Sequence, residues 1–232
     1  MENARDKKKK PNGVTNTKIT TLNFDGNVKL GNLRMASADF TTLDDGEQLD
    51  DNVLTFFMEW HRNNLREEDK NKVEIMGASL VALISSISEK EDLLEVIRPL
   101  DLPNKKVVFA VINNLQEIGH WSLLVFLPSR NFYHIDSVCE MNNEIAMTLM
   151  VRLNLALNLR NPTFIEKDGT RQDNAIDCGL FVIESSKKTL EHVFELQKNM
   201  LAPFGAEVKI ESEQMRQELK RIVQRMAEER ED

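Results

Sequence analysis

The residues best suited to covalent chemistry in this chain are one cysteine, one histidine, one aspartate and one glutamine, set in three stretches. Cys178 lies in Arg171–Ile183, R-Q-D-N-A-I-D-C-G-L-F-V-I, where a polar run breaks abruptly into an apolar one. Leu180, Ile183, Leu190, Val193 and Phe194 follow at roughly helical spacing, which predicts Cys178 in the first turn of a buried helix. Free amides and the dipole at a helix start favour the thiolate, the nucleophilic form of cysteine. Gly179, with no side chain, would let a substrate backbone approach the sulfur. Taken alone, the stretch also reads as a buried cysteine that only fills space, the commoner case.

A cysteine nucleophile needs a base, and the base needs an orienting group. The chain has 4 histidines. His61 falls on an early helix, and His192 lies ~21 Å along the helix from Cys178 at 1.5 Å per residue. His134 is inside a strand and faces either core or solvent. His120 differs, because it follows Gly119 and directly precedes the apolar strand W-S-L-L-V-F-L, at the kind of strand mouth where scaffolds place reactive groups. Asp136, in F-Y-H-I-D-S, ends the next strand, and a turn at Pro128–Asn131 returns it to the same edge. A carboxylate there would fix the imidazole tautomer; without the histidine, Asp136 reads as a turn-initiating residue. Gln172 lies in the loop that must pass the Cys178 helix start. Its amide and the Cys178 backbone N–H could stabilise an oxyanion, although a loop glutamine by itself is ordinary surface.

The elements that would position these groups read as one α+β domain over residues 18–232, strands in its middle and helices around them. Asp50 or Asp51 starts a helix carrying Val53, Phe56, Phe57 and Trp60 on one face. Val73–Ile87 reads as a second helix, and Glu91–Arg98 as a third, stopped by Pro99. Val107–Ile112, Trp121–Leu127 and Phe132–Ile135 read as strands, the first buried on both faces. A helix over 143–159 is ended by Pro162, a short strand covers Thr163–Ile165, and Met215–Met226 forms a last helix that packs on the body. Ile19–Leu30 alternates around Asp25–Gly26, as a hairpin or as ordered coil.

Composition bounds the function. A chain of 232 residues, 41% hydrophobic and 29% charged, fits a globular protein with a substantial core. No apolar run approaches the ~20 residues of a membrane span, and the N-terminus lacks the apolar segment of a secretory signal. Two cysteines point to a reducing compartment, cytoplasmic and also nuclear if Lys7–Lys10 is an import signal rather than solvated charge. Residues 1–17 are expected to be disordered. Neither C-x-x-C pairs nor clustered histidines occur, so no metal is expected. The net charge of -8 argues against nucleic acid and for a locally basic partner. Asp44, Asp45, Glu47, Asp50 and Asp51 form an acidic patch; capping explains one or two of them, and docking of a basic segment would explain the rest.

G-H-W-S-L-L-V, F-Y-H-I-D-S and Q-x(5)-C-G, in that order, resemble the Ulp/SENP family of cysteine proteases that cleave ubiquitin-like proteins. D-F-T-T-L at Asp39–Leu43 and L-D-L-P-N-K-K-V-V-F-A-V-I-N at Leu100–Asn113 look most like its deneddylase member, which acts on the cullin-modifying ubiquitin-like protein. The resemblance covers roughly residues 39–196. It implies a papain-like fold with a mixed central sheet, nucleophile Cys178, base His120, orienting acid Asp136 and oxyanion donor Gln172, with no cofactor. It also implies that Trp121 covers the modifier's terminal Gly-Gly in a narrow channel and that Asp51 engages its basic tail. Three positions depart from the family pattern. Gln48-Leu49-Asp50-Asp51 stands where W-L-N-D is usual, putting Gln48 for the tryptophan of the channel wall and Asp50 for the asparagine. Gly119 stands where a small hydroxyl residue is common.

The reading is therefore a monomeric isopeptidase and C-terminal processing protease for a ubiquitin-like modifier, that of neddylation first and SUMO second. Two rivals come from other classes. An acetyltransferase with a related histidine–acid–cysteine site would want a basic pocket for acetyl-coenzyme A, and no Lys/Arg cluster near the motifs suggests one. A non-catalytic modifier binder would need no base.

Overall fold

In the computed structural model, the residues described are 28–114, 119–128, 131–167, 171–194 and 210–229. The described chain opens with a hairpin, β1 (Val28–Leu30) against β2 (Leu33–Met35), which turns through Gly31 at a φ of 58°. This turn lies downstream of Asp25–Gly26, which, with the N-terminal lysines and the expected disordered segment, is outside the described residues. Three helices follow, α1 (Ser37–Thr41), α2 (Asp51–Asn63) and α3 (Glu67–Lys70). The α2 N-cap is Asp50, whose carboxylate accepts from the Val53 amide at 2.7 Å, a contact worth ~0.5–2 kcal/mol.

The helix expected over Val73–Ile87 divides into strand β3 (Val73–Met76) and helix α4 (Ala78–Ser86), separated by Gly77. The apolar residues at 73, 75 and 76 satisfy either period over so short a run, and pairing decides: β3 lies parallel to Val107–Ala110 and buries Val73, Ile75 and Met76. Then come α5 (Lys90–Ile97), two short 3-10 turns carrying Pro99 and Pro103, β4 (Val107–Asn113), β5 (Trp121–Leu127) and β6 (Asn131–Ile135). The chain continues through α6 (Asn143–Leu157), β7 (Thr163–Lys167), α7 (Cys178–Phe194) and α8 (Ser212–Glu228).

The sheet order is β3-β4-β5-β6-β7, antiparallel through its three central strands and parallel at both edges. Successive side chains on β4 and β5 point to opposite faces, so their continuous apolar runs feed two cores. Phe109, Val111, Leu123 and Val125 pack under α2, α7 and α8, and Val108, Ala110, Leu124 and Phe126 pack under α4, α5 and α6. Each fully buried Phe, Leu or Val contributes roughly 1.5–3 kcal/mol. The resulting three layers hold the N-terminus of α7 against the mouth of β5.

Candidate active site

Strand register brings the first two groups together. Asn113 pairs with Trp121 and Leu123 pairs with Ile135, so His120 precedes β5 and Asp136 follows β6 at one edge. His120 Nε2 and Asp136 Oδ1 are 2.5 Å apart, and both residues are buried. The carboxylate is itself held: Val138 N–H donates to Oδ1 at 2.9 Å and Asn142 N–H to Oδ2 at 3.1 Å. The Asn142 side chain donates to the His120 carbonyl at 2.9 Å and to Ser122 Oγ at 3.0 Å, tying the imidazole's backbone to the same support. His134 faces the core, where it bonds Ser122 and Glu166 at 3.0 Å each and braces the strands behind the site.

The third group is Cys178, the first residue of α7, whose helical N–H groups at Leu180 and Phe181 are capped by the Asp177 carbonyl. The sulfur is buried, and burial by itself would raise the pKa of a thiol. Hydrogen bonds from His120, from the Trp121 backbone N–H and from the Gln48 amide reverse that, so the Cys178 pKa lies below the ordinary thiol value. Burial likewise opposes the charge on His120, but its bonds to Asp136 and Cys178 prevail and raise its pKa to about 9. With Nε2 committed to Asp136, Nδ1 is the ring nitrogen left for the sulfur. Both shifts favour thiolate and imidazolium over the neutral pair, the forms suited to attack on an acyl carbon and to later protonation of a leaving group.

The other expected residues fall in several places. Trp121 is mostly buried, donating its indole N–H to the Leu49 carbonyl at 2.8 Å. With Asp51 it lines a cleft of roughly 680 Å³, floored by small residues of α4 such as Ala78, Ala82 and Ser85. An extended chain with little side-chain bulk fits such a floor. Asp50 is engaged within the fold: its carboxylate caps α2, and burial, with Asp39 close by, raises its pKa to about 6. The acidic patch is divided further by the protein's own last helix, since Lys220 of α8 pairs with Asp44. Gln172 sits beside the site, accepting from Ser137 Oγ and donating one of its two amide N–H groups to the Asn174 carbonyl, both at 2.6 Å. The Gln48 side chain reaches the nucleophile itself: it bonds the Gly119 carbonyl and, at 3.4 Å, Cys178 Sγ. Gly179 serves packing rather than substrate approach, because a Cβ there would stand 2.9 Å from Leu49 Cβ. At Gly119 a Cβ would crowd the Asn113 amide at 3.0 Å.

Two supports escaped sequence reasoning. Asn142 looked like any residue of a polar loop. Arg216 looked like part of the charged face of the last helix, yet it is buried and donates to the carbonyls of Thr42 (3.1 Å), Asp44 (3.0 Å) and Glu47 (2.8 Å) and to Asp177 Oδ1 (2.9 Å). Its spacing to Leu219 and Val223, three and seven residues on, was the available signal that it shares their face.

A cysteine beside a histidine oriented by a carboxylate, in the chain order histidine, aspartate, cysteine, defines a cysteine hydrolase built on a papain-like plan. The chain belongs to the Ulp1 protease family, whose C-terminal catalytic domain it matches over residues 47–229. Sentrin-specific protease 8 of Homo sapiens is 30% identical over 174 residues, 72% of this chain and 82% of that protein. The probable sentrin-specific protease 8 of Dictyostelium discoideum is 29% identical over 180 residues, covering 70% and 74%. The structure superposes on the C-terminal protease domain of Ulp1, solved with Smt3, the yeast ortholog of SUMO, with a TM-score of 0.67 at 18% identity, covering 87% of this chain and 88% of that one. It also resembles the Xanthomonas campestris effector XopD bound to ubiquitin, with a TM-score of 0.61 at 19% identity, covering 75% and 90%. At these identities the structural likeness establishes the fold, a mixed sheet between helical layers, as the motifs implied.

Proposed function

We propose that this protein is a deneddylating cysteine protease, cleaving after the C-terminal Gly-Gly of the neddylation modifier in its precursor and in lysine conjugates such as those on cullins. The observation that carries the reading is the buried Cys178–His120–Asp136 alignment, with its sulfur pKa lowered and its imidazole pKa raised. The Cys178 thiolate attacks the carbonyl of the last glycine; a C–S bond forms and the carbonyl electron pair moves onto oxygen. His120 gives its proton to the departing lysine amine as the C–N bond breaks. Water then attacks the thioester, losing a proton to His120, and the thiolate is released. Asp136 keeps the imidazole in one orientation throughout. Motifs 39–43 and 100–113, and relatives named sentrin-specific protease 8, support the choice of modifier.

The test uses modifiers that carry an electrophile at the C-terminus. The neddylation modifier is expected to form an adduct with the wild-type protein and none with Cys178→Ala. An adduct with SUMO alone would transfer the specificity to SUMO, and no adduct with any modifier would overturn the protease reading.

A further inference from the structure

Gln48 stands where the resemblance leads one to expect an aromatic wall, yet its side chain points at the nucleophile. One amide N–H is taken by the Gly119 carbonyl, and the Nε2 atom lies 3.4 Å from Cys178 Sγ. The first bond fixes the amide plane, so the second N–H is presented to the sulfur without a choice of rotamer.

The backbone around Gln48 is pinned on both sides. Arg216 takes the Glu47 carbonyl at 2.8 Å, and the Trp121 indole takes that of Leu49 at 2.8 Å. Leu49 in turn lies against Gly179, where even a methyl group would collide at 2.9 Å. The same Arg216 holds Asp177, the residue before Cys178. Nucleophile and amide are thus carried on two segments locked to one guanidinium and to each other. A surface residue used only for substrate contact needs no such anchoring, whereas a group that must meet a reacting atom does.

We propose that Gln48 is a catalytic residue, an oxyanion-hole donor whose N–H rests on the Cys178 thiolate and passes to the substrate's oxyanion as the C–S bond forms. The negative charge moves by one bond, from sulfur to the oxygen on the newly bonded carbon, and a donor already 3.4 Å from Sγ reaches that oxygen with little motion. The Trp121 backbone N–H, which also helps to hold the Cys178 pKa down, is a further candidate donor. The assignment rests on the proteolytic reading for its substrate, but its effect on the thiol is independent of any substrate.

Gln48→Met keeps the size and removes the donors; Gln48→Glu keeps the shape and puts a carboxylate beside the sulfur. Two readouts separate the possibilities: the pH dependence of Cys178 alkylation by iodoacetamide, and kcat and KM on a modifier–peptide substrate. Gln48→Met is expected to move the alkylation limb to higher pH and to lower kcat by ~10²-fold, as loss of an oxyanion donor does, with KM within about threefold. Gln48→Glu is expected to move the limb further. If both variants alkylate with the wild-type limb and kcat stays within twofold of wild type or rises, the assignment is overturned. A wild-type protein that cleaves no modifier would sink the protease reading, while the alkylation limbs would still decide whether Gln48 serves the thiolate.

Discussion

At the scale of single residues, the site stores charge separation in a buried place, and pH is the direct probe of it. His120 is raised to about 9 from 6.5, so between those values the folded protein holds a proton that the unfolded chain releases. Its contribution to stability is therefore complete below pH 6.5 and is lost as pH rises through about 9. Activity should follow a bell whose alkaline limb lies near pH 9, where the general acid is lost, and whose acid limb lies below the ordinary thiol range. Asp136→Asn should bring the alkaline limb to lower pH and reduce kcat/KM by on the order of 10²–10⁴-fold, measured on a modifier–peptide substrate across pH 5–10. A profile unchanged in shape would show that Asp136 does not set the imidazole. Cys178, His120 and Asp136 were legible in the sequence because acyl transfer demands those residue types and a hairpin brings its two ends to one edge. Gln48 was visible only as a departure, since a bond between residues 130 positions apart leaves no local signal.

At the scale of elements, α8 does more than cover the apolar face of the sheet. Its buried Arg216 satisfies three loop carbonyls and one carboxylate, so it fastens both the segment leading to Gln48 and the cap of α7. Arg216→Met should cost ~3–5 kcal/mol in urea unfolding, because Asp177 loses its buried counter-charge and the carbonyls lose their donor. The same variant should lower kcat in the folded protein, whereas a purely structural strut would lower stability alone. The sequence announced α8 by its apolar period but hid the clamp, because an arginine on an amphipathic helix reads as solvated unless its face is checked. The division of Val73–Ile87 into β3 and α4 was hidden for a different reason: only pairing with β4, supplied from over thirty residues away, chooses strand over helix there.

At the scale of the molecule, a chain of net charge -8 presents one acid, Asp51, to the cleft it shares with Trp121, while Asp44 and Asp50 are committed internally. Docking of a basic tail should thus be steered by a long-range field and fixed by a single near contact. Asp51→Lys is expected to lower kcat/KM for the modifier about tenfold while leaving iodoacetamide alkylation of Cys178 unchanged, and to flatten the fall of kcat/KM with added salt. Equal salt dependence in variant and wild type would remove the tail contact.

The Arg216 clamp also bears on when the protein becomes reactive during its manufacture. Chains emerge from the ribosome N-terminus first, at roughly 5–20 residues per second, and distant contacts form late. Arg216 meets Thr42 across 174 positions and is translated after Cys178. The segment that leads to Gln48 and the residue before Cys178 are therefore fastened to each other only once that helix is made and docked. Complete alignment of the site is thus expected late in folding, when the two ends of this contact meet.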